Sequence, residues 1–194
     1  MSDHQNPKKA QIIQSARTLF WKFGMKRVTI EEICREADVS KMTFYKYFDN
    51  KKHLVIAILD ILQQEGIDKY RSIMQQNIPF VEKVRQTLQL KMDGTDNLSS
   101  EFFNDLHRNA DPEVKTRFYK MFNENIQMIL NDYIEAQKRG DIRKDIDPKF
   151  ILYFLNHMVE ITEDDKLSKI YSTPQDMIME LTNFFFYGIM PRGA

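Results

Sequence analysis

An all-α fold is predicted for this 194-residue chain by three features. Apolar residues recur at spacings of three and four over most of its length, the signature of helices buried on one face. The six Gly and six Pro fall between such stretches, which suits helices with short connections better than a many-stranded β fold. Polar residues followed by Pro (Asn6-Pro7, Asp111-Pro112, Asp147-Pro148, Thr173-Pro174) stand where helices should begin, because Pro at the first helical position loses no hydrogen bond. About nine helices are expected. Three form an N-terminal helix-turn-helix domain over residues 1–50, and the rest form a C-terminal ligand-binding and dimerisation domain over residues 51–194.

The first helix should run from Pro7 to Gly24, with Ile13, Ala16, Phe20 and Phe23 as its apolar face. Gly24 can end it, since glycine accepts the left-handed conformation past a helix C-terminus. Thr29 and Glu32 stand three apart as a capping box, and Val28 and Ile33 flank them as a staple. Ser40 caps a short third helix, Lys41 to about Tyr47, and Asn50 caps a fourth carrying Leu54, Ile58, Ile61 and Leu62. Pro79 opens a helix with Phe80, Val84 and Leu88, and Asp93 to Asn97 is expected as loop. A shorter helix spans Leu98 to about Arg108, and a rod of roughly 40 Å starts at Pro112 and stops near Gly140. Very apolar helices follow from Phe150 to Ile161 and from Pro174 to Gly188.

Net charge is zero, but residues 1–55 carry a balance of +5 and the remainder −5. A basic head on an acidic body suits a protein with one polyanion-binding end. The lone Cys34 excludes an intramolecular disulfide, and Met1 to Asn6 carry no apolar signal core. The longest apolar run is far short of the roughly 20 residues of a membrane span. A cytoplasmic location with no membrane partner is therefore expected.

Chemistry concentrates between Thr29 and Lys51. Two helices joined by about three residues give helix-turn-helix geometry, in which the second helix enters the major groove of double-stranded DNA. Phe44, Tyr47 and Phe48 can anchor that short helix, leaving Lys41, Met42, Thr43, Tyr45 and Lys46 outward. Thr29 and Ser40 put hydroxyls at helix N-termini, where phosphate binds. Tyr45 and Tyr47 offer hydroxyls on rigid rings, and Lys26, Lys46 and Lys51 add charge that makes binding fall with salt. Base reading is assigned to Lys41, Met42 and Thr43. Lysine donates to guanine, and the methyl groups of Thr and Met meet thymine.

In the body, Tyr70, Met74, Phe102, Phe103, His107, Phe118, Met121, Phe122 and Asn125 could line a cavity for a small apolar or amphipathic ligand. A Phe and Met stripe is more often plain core. The last two helices are apolar nearly all round. Phe150, Tyr153, Phe154, His157 and Met158 on one, and Met177, Leu181, Phe184 and Phe185 on the other, are the expected homodimer face.

An enzyme is the main rival. Four scattered His come without HExxH, CxxC, GxSxG or a Gly-rich phosphate loop. His107 and His157 holding a metal is the remaining enzymatic alternative, and neither a catalytic residue, a metal nor a cofactor is expected. A purely structural oligomer leaves the polar, Tyr- and Lys-bearing third helix without a purpose.

The stretches LFWKFGMKRVTI and EEICREADVSKMTFYKYFDNKKHLV resemble the N-terminal pattern of the tetracycline-repressor (TetR) family over about residues 8–60. Beyond that only helix order and length are similar. The resemblance implies a transcriptional regulator, mostly a repressor, that binds a palindromic operator as a homodimer and is released by a small molecule. It implies DNA contacts for Thr29, Lys41, Thr43, Tyr45, Tyr47 and Lys51. Met42 stands where a small residue is frequent, Lys46 where Tyr or Trp is, and Tyr47 where His is usual. These departures bear on the operator sequence and not on the fold.

Overall fold

Helix starts follow the caps. The side chains of Asn6, Asp111, Asp147 and Thr173 each accept a backbone N–H just beyond their proline. Asn50 accepts the His53 N–H at 2.9 Å, and Ser99 accepts that of Phe102 at 3.1 Å. Each side-chain oxygen satisfies an N–H that the first helical turn cannot. The computed structural model describes residues 6–191 apart from Asn109 and the side chain of Val159. His4 and the other residues before Asn6 lie outside the described residues.

The elements are α1 (Pro7–Phe23), α2 (Ile30–Glu36), α3 (Lys41–Tyr47), α4 (Lys51–Met74), α5 (Phe80–Thr95), α6 (Ser100–His107), α7 (Pro112–Arg139), α8 (Pro148–Thr162), α9 (Asp165–Ser168) and α10 (Pro174–Ile189). Among the described residues there is no strand. Among the described residues there are ten helices where about nine are expected. The added one, α9, is a single turn whose N–H groups at Lys166 and Leu167 bond to the Asp164 carboxylate. It buries no residue, so no apolar period announces it. A second correction concerns Asp93 to Asn97. α5 continues through this expected loop to Thr95, whose hydroxyl bonds back to the Lys91 carbonyl at 2.9 Å. On α1 the fully buried stripe is Ile12, Ala16 and Phe20, with Ile13 and Phe23 only partly covered.

Packing divides the chain into two units, Met1–Leu62 with Asn97–Phe118, and Gln63–Asp96 with Tyr119–Ala194. Residue 50, the boundary expected from sequence, falls just before α4. The first unit groups α1 to α3 with the first half of α4, α6 and the start of α7 around Ile12, Phe20, Ile33, Phe44 and Leu54. In the second unit Tyr133 is the centre of an aromatic cluster. Its ring lies 6.4 Å from Phe80, 5.9 Å from Phe185 and 6.2 Å from Phe186, and Phe154 stacks on Phe185 at 5.7 Å. α7 closes on Gly140, at φ 88, with Asp141 N–H bonding to the Ala136 carbonyl at 2.9 Å.

Phe185 contacts three rings of that cluster, so Phe185→Ala is expected to cost about 3–5 kcal/mol. A urea titration followed by circular dichroism measures the loss. An unchanged midpoint would mean that the cluster does not hold the second unit together.

Candidate nucleic-acid interface

The turn before α3 is built from backbone bonds. The Val39 N–H bonds to the Cys34 carbonyl at 2.9 Å and the Asp38 N–H to the Arg35 carbonyl at 3.3 Å. This is a Schellman closure, with Asp38 left-handed at φ 50 in the position usually given to glycine. Asp tolerates that region better than most residues. Val39 packs against the core, and Ser40 then caps α3 by accepting the Thr43 N–H at 3.1 Å.

Phe44, with 0% of its surface exposed, fixes the rotation of α3 about its axis. Phe48 lies beside it at 5.8 Å between rings. Met42 is 82% exposed and Tyr45 53%, and Lys41 and Lys46 are also exposed. At 3.6 residues per turn these four occupy one face about 140° wide. The face carries two ammonium groups, a phenol and a thioether, a set able to meet phosphate and base edges.

Other expected DNA residues are engaged within the protein. The Thr29 hydroxyl accepts the Glu32 N–H at 3.2 Å and donates to the Glu32 carboxylate at 2.9 Å. That carboxylate also takes the Thr29 N–H at 2.8 Å, completing the capping box. The Thr29 backbone bond, then its side-chain bond, hold the Glu32 pKa below the usual carboxylate range. The hydroxyls of Ser40 and Thr43 are paired at 3.0 Å. Lys41 pairs with Glu31 of α2, raising the lysine pKa and lowering that of the glutamate. Tyr47 is half-buried, and the Lys46 ammonium lies 5.9 Å from its ring centre. The Cys34 thiol is buried, which pushes its pKa up.

Lys51 faces inward. Its ammonium donates to the carbonyls of Met25 at 2.8 Å, Lys26 at 3.2 Å and Val28 at 2.8 Å. Burial pushes its pKa below the usual lysine range, against the pull of Asp105 and Glu32. From the other side, Asp105 on α6 accepts the Lys26 N–H at 2.8 Å. Gly24 sits at φ 81 under that carboxylate, where a Cβ would lie 2.7 Å from Asp105 Oδ2. The Lys26 side chain is exposed. Neither Lys51's inward course nor the role of Asp105 is visible in sequence, because both depend on the path of a loop.

The nine candidate ligand-lining residues divide between the units. In the first, Phe102 packs on Trp21 at 4.3 Å, and buried His107 lies between Phe103 and Phe118 at 4.3 and 5.0 Å. In the second, Met74 and Phe122 pack on the core and Met121 is half-buried. There Tyr70 is buried beside Asp132, and Asn125 Oδ1 is buried without a hydrogen-bond partner. The first unit has a cavity of about 270 Å³ beside Lys51, Lys52 and Asp105, and the second has one of about 320 Å³ beside Phe150, Phe154 and Phe184. None of the nine lines either one. Of the expected dimer residues, Met177 and Phe185 are buried within their own unit, while Phe154, His157, Met158 and Leu181 are half-buried. Phe150, Tyr153 and Phe184 are exposed. His157 bonds to the Tyr153 carbonyl at 2.7 Å. Among the described residues no three His, Cys, Asp or Glu side chains are grouped to hold a metal, and no helix is long and apolar enough to cross a membrane.

Residues 12–58 match the profile of the bacterial regulatory proteins of the tetR family. Residues 12–58 thus carry a TetR-family domain, the mark of a DNA-binding transcriptional regulator. An uncharacterized HTH-type transcriptional regulator of Bacillus subtilis (strain 168), YhgD, is 27% identical over 150 residues, covering 76% of this chain and 78% of its own. The fatty acid degradation regulator FadR from Bacillus halodurans superposes with a TM-score of 0.74 at 17% identity, over 96% of this chain and 98% of that one. A transcriptional regulator from Saccharomonospora viridis in complex with choline gives 0.69 at 16% identity, over 95% and 98%.

Thr29→Ala removes the α2 cap, and is expected to cost about 1 kcal/mol. Glu32→Gln probes the same box by pH. The folded-state pKa of Glu32 is depressed, so its contribution is present above the unfolded value and is lost as pH falls through the folded one. The stability gap between parent and Glu32→Gln should close on acidification in paired thermal melts. A gap that stays constant with pH would remove the carboxylate from the box.

Proposed function

We propose that the chain is a ligand-responsive repressor that binds a palindromic operator as a homodimer. The carrying observation is the α3 face of Lys41, Met42, Tyr45 and Lys46, turned outward because Phe44 is turned inward. On this reading Lys41, Met42 and Thr43 meet base edges, while Tyr45, Lys46, Tyr47, Lys26 and the N-terminal hydroxyls of Thr29 and Ser40 meet phosphate. Lys41 and Thr43 would exchange Glu31 and Ser40 for DNA. The Lys41–Glu31 pair is solvent-exposed on both sides, so that exchange costs little.

A head of this size reads one half-site, so two copies must be held about one helical turn of DNA apart. The homodimer reading is supported by α8 and α10. Phe150 and Tyr153 on α8, and Phe184 at 72% and Tyr187 at 82% exposure on α10, form apolar stripes outside the protomer core. A ligand in the body is supported by Asn125 Oδ1, whose burial without a partner costs about 1–3 kcal/mol unless something pairs with it. It offers an acceptor to a ligand that brings a donor. An amphipathic molecule is the class this reading favours, and the choline complex of the Saccharomonospora viridis regulator is a precedent within the fold. Such a ligand controls DNA release only through a difference in affinity between the two states.

Selection of bound genomic fragments by the purified protein is expected to return a two-fold symmetric site. On that site Lys41→Ala should relax preference at one base pair per half-site, costing about 1–3 kcal/mol, and Lys46→Ala should weaken all sequences alike. Selection of no sequence, or two variants with parental binding, would overturn the assignment of α3.

The dimer is tested separately. Phe184→Asp is expected to shift the protein from dimer to monomer in sedimentation velocity and to abolish operator binding. A parent that sediments as a monomer at every concentration would defeat the homodimer.

A further inference from the structure

The segment from Gly24 to Thr29 carries the chain from α1 to α2 and thereby places the reading head. Side chains from two other helices take up its backbone polar groups. Lys51, at the start of α4, donates to the carbonyls of Met25, Lys26 and Val28 at 2.8, 3.2 and 2.8 Å. Asp105 of α6 accepts the Lys26 N–H at 2.8 Å. An ammonium has three donors and no acceptor, and here the three acceptors account for all of them. A phosphate reaching Lys51 would have to displace a carbonyl and leave that carbonyl without its partner.

We infer that Lys51 is a positioning residue, an internal clamp that sets the loop and hence the angle of α2 and α3, and does not contact DNA phosphate. This separates Lys51, at the start of α4, from the exposed Lys46 within α3. Asp105 works with it from the opposite side. The carboxylate passes so close to Gly24 that a side chain at that position would collide with it. The clamp and the glycine are one device.

Two measurements on full-length protein test this, and each has its own way to fail. Hydrogen exchange is read on the free protein and is independent of any operator. Lys51→Met should speed exchange of the amides between Met25 and Ile30 by about tenfold or more, because the loop loses the acceptor pairing that holds it. The second measurement is affinity against salt, on a duplex selected by the parent. A residue that touches phosphate contributes about 0.9 to the slope of log K against log salt. Lys46→Met should lower the slope by that amount, whereas Lys51→Met should lose about tenfold in affinity with the parental slope kept.

Lys51→Arg sharpens the comparison. It keeps the charge, but its flat donor fork cannot fill a cage of three carbonyls around one nitrogen. It should bind as weakly as Lys51→Met, whereas a phosphate contact would survive the change. Should Lys51→Met not fold, Lys51→Gln carries the same comparison. Unaltered loop exchange, a slope drop equal to that of Lys46→Met, or parental binding by Lys51→Arg would each overturn the clamp. The affinity arm rests on the DNA-binding reading of α3. A parent that selects no fragment defeats that reading and leaves loop exchange to decide this one.

Discussion

Burial of one ring, Phe44, is the constraint on which the reading head depends. α3 has seven residues, too few to be stable as an isolated helix. It exists because Phe44 and Phe48 join the core shared by α1 and α2, and because Ser40 satisfies its first turn. Turning the helix by one residue would rotate every side chain by about 100°, trading Phe44 for Tyr45. The identities of the outward residues are therefore a consequence of which residue goes in. Met42, at 82% exposure, can vary at little cost to the fold, as its proposed role in base contact requires.

The same economy appears in the charges. The first 55 residues carry an excess of lysine and arginine, and several of their carboxylates are occupied at short range. Glu32 is held by Thr29, Glu31 by Lys41, and Asp49 lies 3.0 Å from a ring nitrogen of His53. Acidic groups thus serve caps and local pairs, and their negative charge is spread along short-range bonds. The ammonium of Lys46 and the side chain of Lys26 stay at the surface, where a polyanion can reach them and where salt screens them.

Local chemistry made much of this legible from residues alone. The Thr29–Glu32 box, the Ser40 cap and the Pro-initiated helices depend on neighbours within four positions, and the structure has each of them. α9 escaped because a turn held by one carboxylate has no apolar period. The Asp93–Asn97 stretch misleads because its residue types favour a loop, while side-chain i to i+4 bonds such as Gln89 to Asp93 at 2.7 Å accompany α5 as far as Thr95. Lys51 escaped for a third reason. A lysine near residues expected to meet DNA suggests phosphate, and only the folded path of residues 24–28 shows three carbonyls converging on it. Pairings across 23 to 79 positions, such as Lys51 with Val28 or Lys26 with Asp105, leave no periodic trace.

The body poses the opposite problem, since apolar residues there exceed what one protomer covers. On α8, Ile151 and Leu155 are buried while Phe150 and Tyr153 stay exposed; on α10, Phe185, Phe186 and Ile189 are buried while Phe184 and Tyr187 stay exposed. Each helix therefore has two apolar faces, and the core uses one. Hydrophobicity in sequence cannot tell these faces apart, so it places buried Met177 and exposed Phe184 on the same surface. The distinction has a mechanical meaning. Residues on the inner face hold the second unit together, so their loss should act through unfolding. Residues on the outer face make few contacts within the protomer, such as Tyr153 on His157 at 4.0 Å, so a change there should act mainly through what the proposed second copy covers.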